Sequence, residues 1–272
     1  MDFETLDDSD WEEVARIWDL LEAGDVEHAR RELKARFRAR IEHPDLRIVD
    51  AAIALEEDDP ESALTALEGA ERSADPALFF HLRASALFDL SRFEPAKLDV
   101  ERALTVRPEL AESHDLLSRT LEHLGQAADA DEHAQTANAL DPERFPMPLE
   151  VADAEFDQLV ERSLKELPPP IRKQLEELPV LVEPLPGAEL LTHERPPLSP
   201  DLLGLYVGRD LMSRSTLDLP DAPGAIFLFR RNLLRFCASL EELEKEIRIT
   251  VQHEVGHLLG LDEDDLERWG LA

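Results

Sequence analysis

"EPAKLDVERALTVRP" (residues 94–108) and "QAADADEHAQTANALDP" (residues 126–142) carry the same pattern, and that pattern decides the architecture of the first half of the chain. Ala96, Ala103 and Pro108 recur 34 residues later as Ala130, Ala137 and Pro142. Running backwards, Ala63 and Ala70 precede Ala96 and Ala103 by 33 residues, and Ala29 precedes Ala63 by 34. The surrounding sequence, from about residue 10 to 142, is rich in Ala and Leu, with helical periodicity and no strand-like alternation. Antiparallel helices approach closely only where a side chain is no larger than alanine, so phased alanines mark helix crossings. The expectation is a stack of helical hairpins.

A 34-residue helix–turn–helix period with small residues at the crossing and a closing proline resembles the tetratricopeptide repeat. The likeness is strongest over residues 77–142; over 10–76 the period persists, and the bulky aromatic positions are mostly Leu or Ala. The resemblance implies an all-α solenoid whose first helices line a peptide-sized groove. His81, Ser85 and Asp89, then Glu112, Asp115 and Arg119, fall on those helices. They lack the Lys/Asn set that clamps a C-terminal carboxylate in chaperone-binding members. His28, His43, His81, His114, His123 and His133 read as polar helix-surface residues.

Charge narrows the range of partners. The 272 residues hold 61 acidic and 29 basic side chains, a formal net charge of −32 spread along the whole length. Such a field repels phosphate backbones and anionic lipid, which argues against nucleic acid and membrane surfaces and favours basic or apolar polypeptide; heavy surface acidity equally fits adaptation to a salty cytoplasm, which carries no message about partners. No apolar run approaches the roughly 20 residues that span a bilayer. "MDFETLDDSDWEE" has neither the basic region nor the apolar core of a signal peptide, and Cys237 is the single cysteine. A cytoplasmic location is expected, with Cys237 inert.

"DPERFPMPLE" (141–150), with three prolines in ten residues, reads as a junction. Two domains are therefore expected, 1–145 and 146–272. In the second, "DAEFDQLVERSLKEL" sets Phe156, Leu159, Val160, Leu164 and Leu167 on one side of a helix. "PPIRKQLEEL" reads as a short helix, and "PVLVEPLP", "LLGLYVGRDL" and "GAIFLFRR" as strands. In the last, Ile226, Leu228 and Arg230 alternate. "GAELLTHERPPLSPD" is a loop long enough to serve function. "SLEELEKEIRITVQHEVGHLLG" is one long helix, opened by a Ser239/Glu242 capping box and stopped by Gly260.

That helix carries the chemistry. His253 and His257 are one turn apart, so both imidazoles can grip one ion. Zinc takes nitrogen, oxygen or sulfur donors in a tetrahedral shell, with one position open in catalytic sites. Glu254 adjoins the first histidine, within reach of an attacking water whose proton it can take. Gly260 lets the chain turn back and bring a further donor from the acidic run that follows. Tyr206 is a candidate for an oxyanion donor; as a strand aromatic it would instead belong to the core.

His253-Glu254-x-x-His257-x-x-Gly260, with "ELP" (166–168), "LLGLYVG" (202–208) and "IFLFRRNLL" (226–234) ahead of it, resembles the minimal zincin-type metallopeptidases of bacteria over about 115 residues. The resemblance implies an α+β domain, bound Zn2+ and peptide-bond hydrolysis with Glu254 as general base. It places the third metal ligand at Glu263, with Asp262 and Asp264 as alternatives. It also implies a substrate laid along an edge strand by β-augmentation, for which "AIFLFR" (225–230) is the candidate, with Arg230 or Arg231 near the site or as solvated strand ends. His193 falls in the proline-rich loop that precedes the second strand. The rival reading is an adaptor whose metal site is structural or inactive, since fold does not imply function.

Overall fold

The computed structural model describes residues 5–71, 75–176, 178–193, 195–208 and 224–258. The chain divides into two units, Met1–Phe145 and Pro146–Ala272.

Four helical hairpins are described in the first unit: α1 (Asp8–Glu22) with α2 (Val26–Phe37), α3 (Pro44–Glu56) with α4 (Pro60–Leu67), α5 (Pro76–Asp89) with α6 (Phe93–Val106), and α7 (Ala111–His123) with α8 (Ala127–Leu140). The starts of α4 and α5 are written in the sequence. Asp59 and Asp75 accept from the N–H groups of Ser62 (2.9 Å) and Leu78 (3.0 Å), and a proline occupies the first turn that follows each. Every phased alanine is shut from solvent: Ala29, Ala63, Ala70, Ala96, Ala103 and Ala130 at 0% exposure and Ala137 at 1%. The first helices also pack on one another in series, α1 on α3, α3 on α5 and α5 on α7.

The period is written in the backbone too. Gly24, Asp58, Ser91 and Gly125 all have positive φ, at 75°, 55°, 57° and 72°. At each, two amide bonds close the first helix in the same way; in the first hairpin Gly24 donates to Leu21 and Asp25 to Leu20, both at 2.9 Å. This is a Schellman closure, and it holds across residues 10–76 as well as 77–142.

The second unit holds α9 (Asp153–Glu166), α10 (Pro169–Gln174), β1 (Val180–Glu183), α11 (Ala188–Leu191), β2 (Gly204–Val207), β3 (Ala225–Phe229), α12 (Arg230–Phe236) and α13 (Leu240–Leu258). The strands form one mixed sheet in the order β1-β3-β2, with β1 parallel and β2 antiparallel to β3. One core joins α9 (Phe156, Leu159), β3 (Ile226, Leu228) and α13 (Leu243, Ile247, Val251, Val255). The Ser239 hydroxyl accepts from Glu242 N–H (3.2 Å), while the Glu242 carboxylate returns to Ala238 N–H (2.8 Å), one residue ahead of the capping box the sequence predicts. Among the described residues no helix is long and apolar enough to cross a membrane.

Three expectations are corrected. "AIFLFR" is not an edge: β3 is the central strand, and its burial along Ala225–Phe229 follows from having a neighbour on each side. Arg230 does not end a strand in solvent. It opens α12 and reaches back to the Asp153 carboxylate and the Val151 carbonyl, with its guanidinium 5.6 Å from the Phe156 ring centre. "GAELLTHERPPLSPD" is not wholly loop, since Ala188–Leu191 makes one helical turn.

Candidate metal and hydrolytic site

α13 buries a seam of Leu243, Ile247, Val251 and Val255, and two polar residues of the same helix are buried with it: Thr250 at 7% exposure and Glu254 at 7%. A buried carboxylate is costly unless it is hydrogen-bonded. Glu254 is: its Oε2 accepts from the main-chain N–H of Tyr206 at 2.6 Å. That amide points away from the sheet for a reason of register. Phe229 N–H donates to Leu203 O (2.9 Å), and with Leu205 opposite Phe227 and Tyr206 opposite Ile226 the outward main-chain groups of β2 belong to Gly204 and Tyr206. The free edge of β2, among the described strands, therefore faces the helix that carries Glu254.

β2 comes this close to α13 because residue 204 has no side chain. A Cβ there would lie 2.5 Å from Thr250 Cγ2 and 2.9 Å from Phe227 O. The approach to β2 is held by Asn232, buried at 3%, whose Nδ2 donates to Pro200 O and Leu202 O, both at 2.8 Å. Sequence reading passed over both residues. The signal for Gly204 was there, since a glycine inside a strand pattern marks a close approach; Asn232, between Arg231 and Leu233, carries no comparable mark.

His253 is half-buried beside Glu254, and α13 continues through Leu258, which puts His257 one turn further on the same helix. Tyr206 packs against the core with its ring partly buried, and its hydroxyl fills the space that a side chain at Gly208 or Gly224 would occupy. What Tyr206 offers Glu254 is its amide. Glu263, Asp262, Asp264 and Gly260, which the sequence predicts to stop the helix, lie outside the described residues, and among the described residues no three His, Cys, Asp or Glu side chains converge on a metal position. Elsewhere in the unit, Arg231 donates its N–H to Pro184 O (3.0 Å), His193 N–H donates to Leu190 O (3.4 Å), and burial pushes the Cys237 thiol up to about 11, which fits an inert thiol.

The first unit has a groove of its own, about 750 Å3, along the inner faces of α1, α3, α5 and the start of α7. His81, Ser85, Asp89 and Glu112 line it, and Glu112 pairs with Arg144. Asp115 and Arg119 pair with each other at 2.9 Å, the guanidinium lying 4.9 Å from the Phe88 ring centre. Four of the histidines are not plain surface residues. His81 shares a hydrogen bond with Ser113 Oγ (3.0 Å), and burial pushes its imidazole from 6.5 down to about 4. The His123 ring stacks on Phe93 with centres 4.2 Å apart. His114 and His133, on neighbouring helices, meet Nδ1 to Nδ1 at 2.8 Å, a pairing their separation in sequence conceals.

Comparison with known proteins bears on the second unit. The profile of the family described as zincin-like metallopeptidase matches residues 175–271, which takes in β1–β3 and α13. No curated protein matches the chain.

Proposed function

We propose that this chain is a zinc-dependent peptidase whose helical first unit, of tetratricopeptide-like design, recruits polypeptide. The observation that carries the reading is Glu254: a buried carboxylate, on the helix bearing the two histidines, bonded to β2 on the side that no described strand pairs, within a zincin-like sequence match.

His253 and His257 are the nitrogen donors that would hold the ion, and Glu263, or else Asp262 or Asp264, is the proposed oxygen donor. That mixture suits zinc. When bound, the ion supplies Lewis acidity that polarises a peptide carbonyl and makes water easier to deprotonate. The protein's own part is proton transfer and positioning. Glu254 takes the proton of the attacking water and delivers it to the departing amine nitrogen. An extended polypeptide lying along β2 would find the outward main-chain groups of Gly204 and Tyr206 ready to pair with it, next to Glu254. It would have to share or take over the Tyr206 amide, so pairing with substrate and loosening of the Glu254 carboxylate go together.

Zinc content separates this reading from an adaptor with a structural or idle metal. Purified protein should bind one zinc, His253→Ala should lose it, and Glu254→Gln should keep it. Incubation with a denatured proteome should yield new peptide termini, read by mass spectrometry, with the wild type and not with Glu254→Gln. Retained zinc with no new termini would hand the case to the adaptor.

A further inference from the structure

The groove of the first unit has a regular chemical edge. Glu22 ends α1, Glu56 ends α3 and Asp89 ends α5, displaced by 34 and 33 residues, the same steps as the alanines and the positive-φ turns. All three line the groove. A helix C-terminus already carries partial negative charge from its unpaired carbonyls, and cations are the side chains it favours there. None of the three helices has a basic residue in its last turn, and all three place a carboxylate there instead. Among the described residues Glu22 and Glu56, both exposed, pair with no cation. The series stops at the fourth hairpin, where His123 takes the position and stacks on Phe93.

Trp18, Leu21, Leu55, Leu78 and Leu82 give the floor between these rim charges its apolar side chains, with His81, Ser85 and the Glu112–Arg144 pair beside them. Asp58 lines the groove as well. Glu27, Glu61 and Glu94 follow the same period on α2, α4 and α6, where they sit in first turns and the helix dipole favours them.

We infer that this groove binds a basic polypeptide segment that alternates lysine or arginine with apolar residues. The cations meet the Glu22 and Glu56 carboxylates at the ends of α1 and α3, and the apolar side chains lie on the floor between them. The inference rests on the proposal that the first unit recruits polypeptide, and it names the class recruited. Charge complementarity carries it: the carboxylates of Glu22 and Glu56, set against the dipoles of two successive helices, create a negative rim that cations of the peptide relieve, and the apolar side chains of the floor favour a strand that is not purely hydrophilic.

The test uses the full chain carrying Glu254→Gln, so that no probe is cut, with Trp11→Phe and Trp269→Phe so that Trp18 reports from the groove. The probe is a synthetic peptide of six Lys-Leu repeats, titrated at about 0.15 M salt, where surface charges act over about 8 Å. Binding should change Trp18 emission. Glu22→Gln/Glu56→Gln should weaken it about tenfold, while Glu27→Gln/Glu61→Gln, with the same charge removed, should change it less than twofold. A peptide of six Lys-Ser repeats should bind more weakly than Lys-Leu. Equal losses from the two double variants, unchanged Trp18 emission at saturation, or equal binding of Lys-Ser would each overturn the inference. If Glu-Leu repeats bind with the Trp18 response and Lys-Leu repeats do not, the basic class is wrong and recruitment of polypeptide stands. If no peptide binds, both fall.

Discussion

Asp99 in the first unit and Glu254 in the second are both buried carboxylates, and they are handled differently. Asp99, at 4% exposure, is gripped by Arg83, 16 residues back, at 2.6 and 2.7 Å, and by Arg102, three residues on, at 3.0 Å. Its charge is met by two guanidinium groups from the same hairpin. Glu254 reaches 48 residues back along the chain to a backbone N–H on the side of β2 that no described strand pairs. A carboxylate closed by two guanidinium groups is held by charge-assisted bonds; on the proposed reading, one that accepts from a main-chain donor at a strand edge can change partners when a polypeptide pairs there. The same contrast runs through the two units. The first is assembled from near neighbours repeating every 33 or 34 residues, while the second brings Glu254 to an amide 48 residues away.

The most damaging substitution expected is at Glu254. Glu254→Gln should cut hydrolysis by about 10²–10⁴-fold, the usual worth of a positioned general base, with zinc content and folding intact. Asp99→Asn should leave cleavage of a short peptide unchanged, yet cost the first unit about 2–3 kcal/mol in urea unfolding, because its hydrogen bonds are charge-assisted. If Asp99→Asn abolished cleavage, the contrast between a structural and a working carboxylate would break.

Gly204→Ala sharpens the contrast at the sheet edge. The added methyl would press on Thr250 Cγ2 and Phe227 O, at a cost of about 2 kcal/mol, and should reduce activity by moving β2 off α13. Thr250→Ala in the same chain should recover part of the loss, since one of the two clashing atoms is then gone. Absence of any recovery would mean that the glycine serves something other than this approach.

A pH effect of intermediate size belongs to the first unit. His81 is held neutral by burial, with its pKa lowered from 6.5 to about 4. Between those values the unfolded chain takes up a proton that the folded chain refuses, so stability falls as pH drops from about 6.5 to 4 and this contribution levels off below. His81→Gln should flatten that part of the urea-midpoint profile relative to wild type. The smallest effect is expected at Ser239→Ala, about 1 kcal/mol from the lost cap of α13.

Most of the first unit was legible because its contacts are local. A phased alanine implies a close helix crossing wherever it occurs, and the period reached the turns as well, where Gly24 and Gly125 supply positive φ without strain. Asp58 and Ser91 adopt the same turn without being glycine, so composition alone could not mark them. The histidine pair His114–His133 was invisible for a related reason: its partners sit 19 residues apart on adjacent helices, a spacing with no meaning until the helices are packed.

In the second unit the sequence alone determined most of the elements, α11 and α12 excepted, and the spacing of the candidate site: a capped helix, two histidines one turn apart, a glutamate beside the first, and a run of carboxylates beyond. These depend on spacing within one helix, which is a property of the backbone. Which strand lies at the edge, which of its amides turns outward, and that Glu254 meets the amide of Tyr206 were decided by tertiary structure alone. Strand order and register arise from pairing segments far apart in the chain, and "AIFLFR" reads as an equally good strand whether it has one neighbour or two.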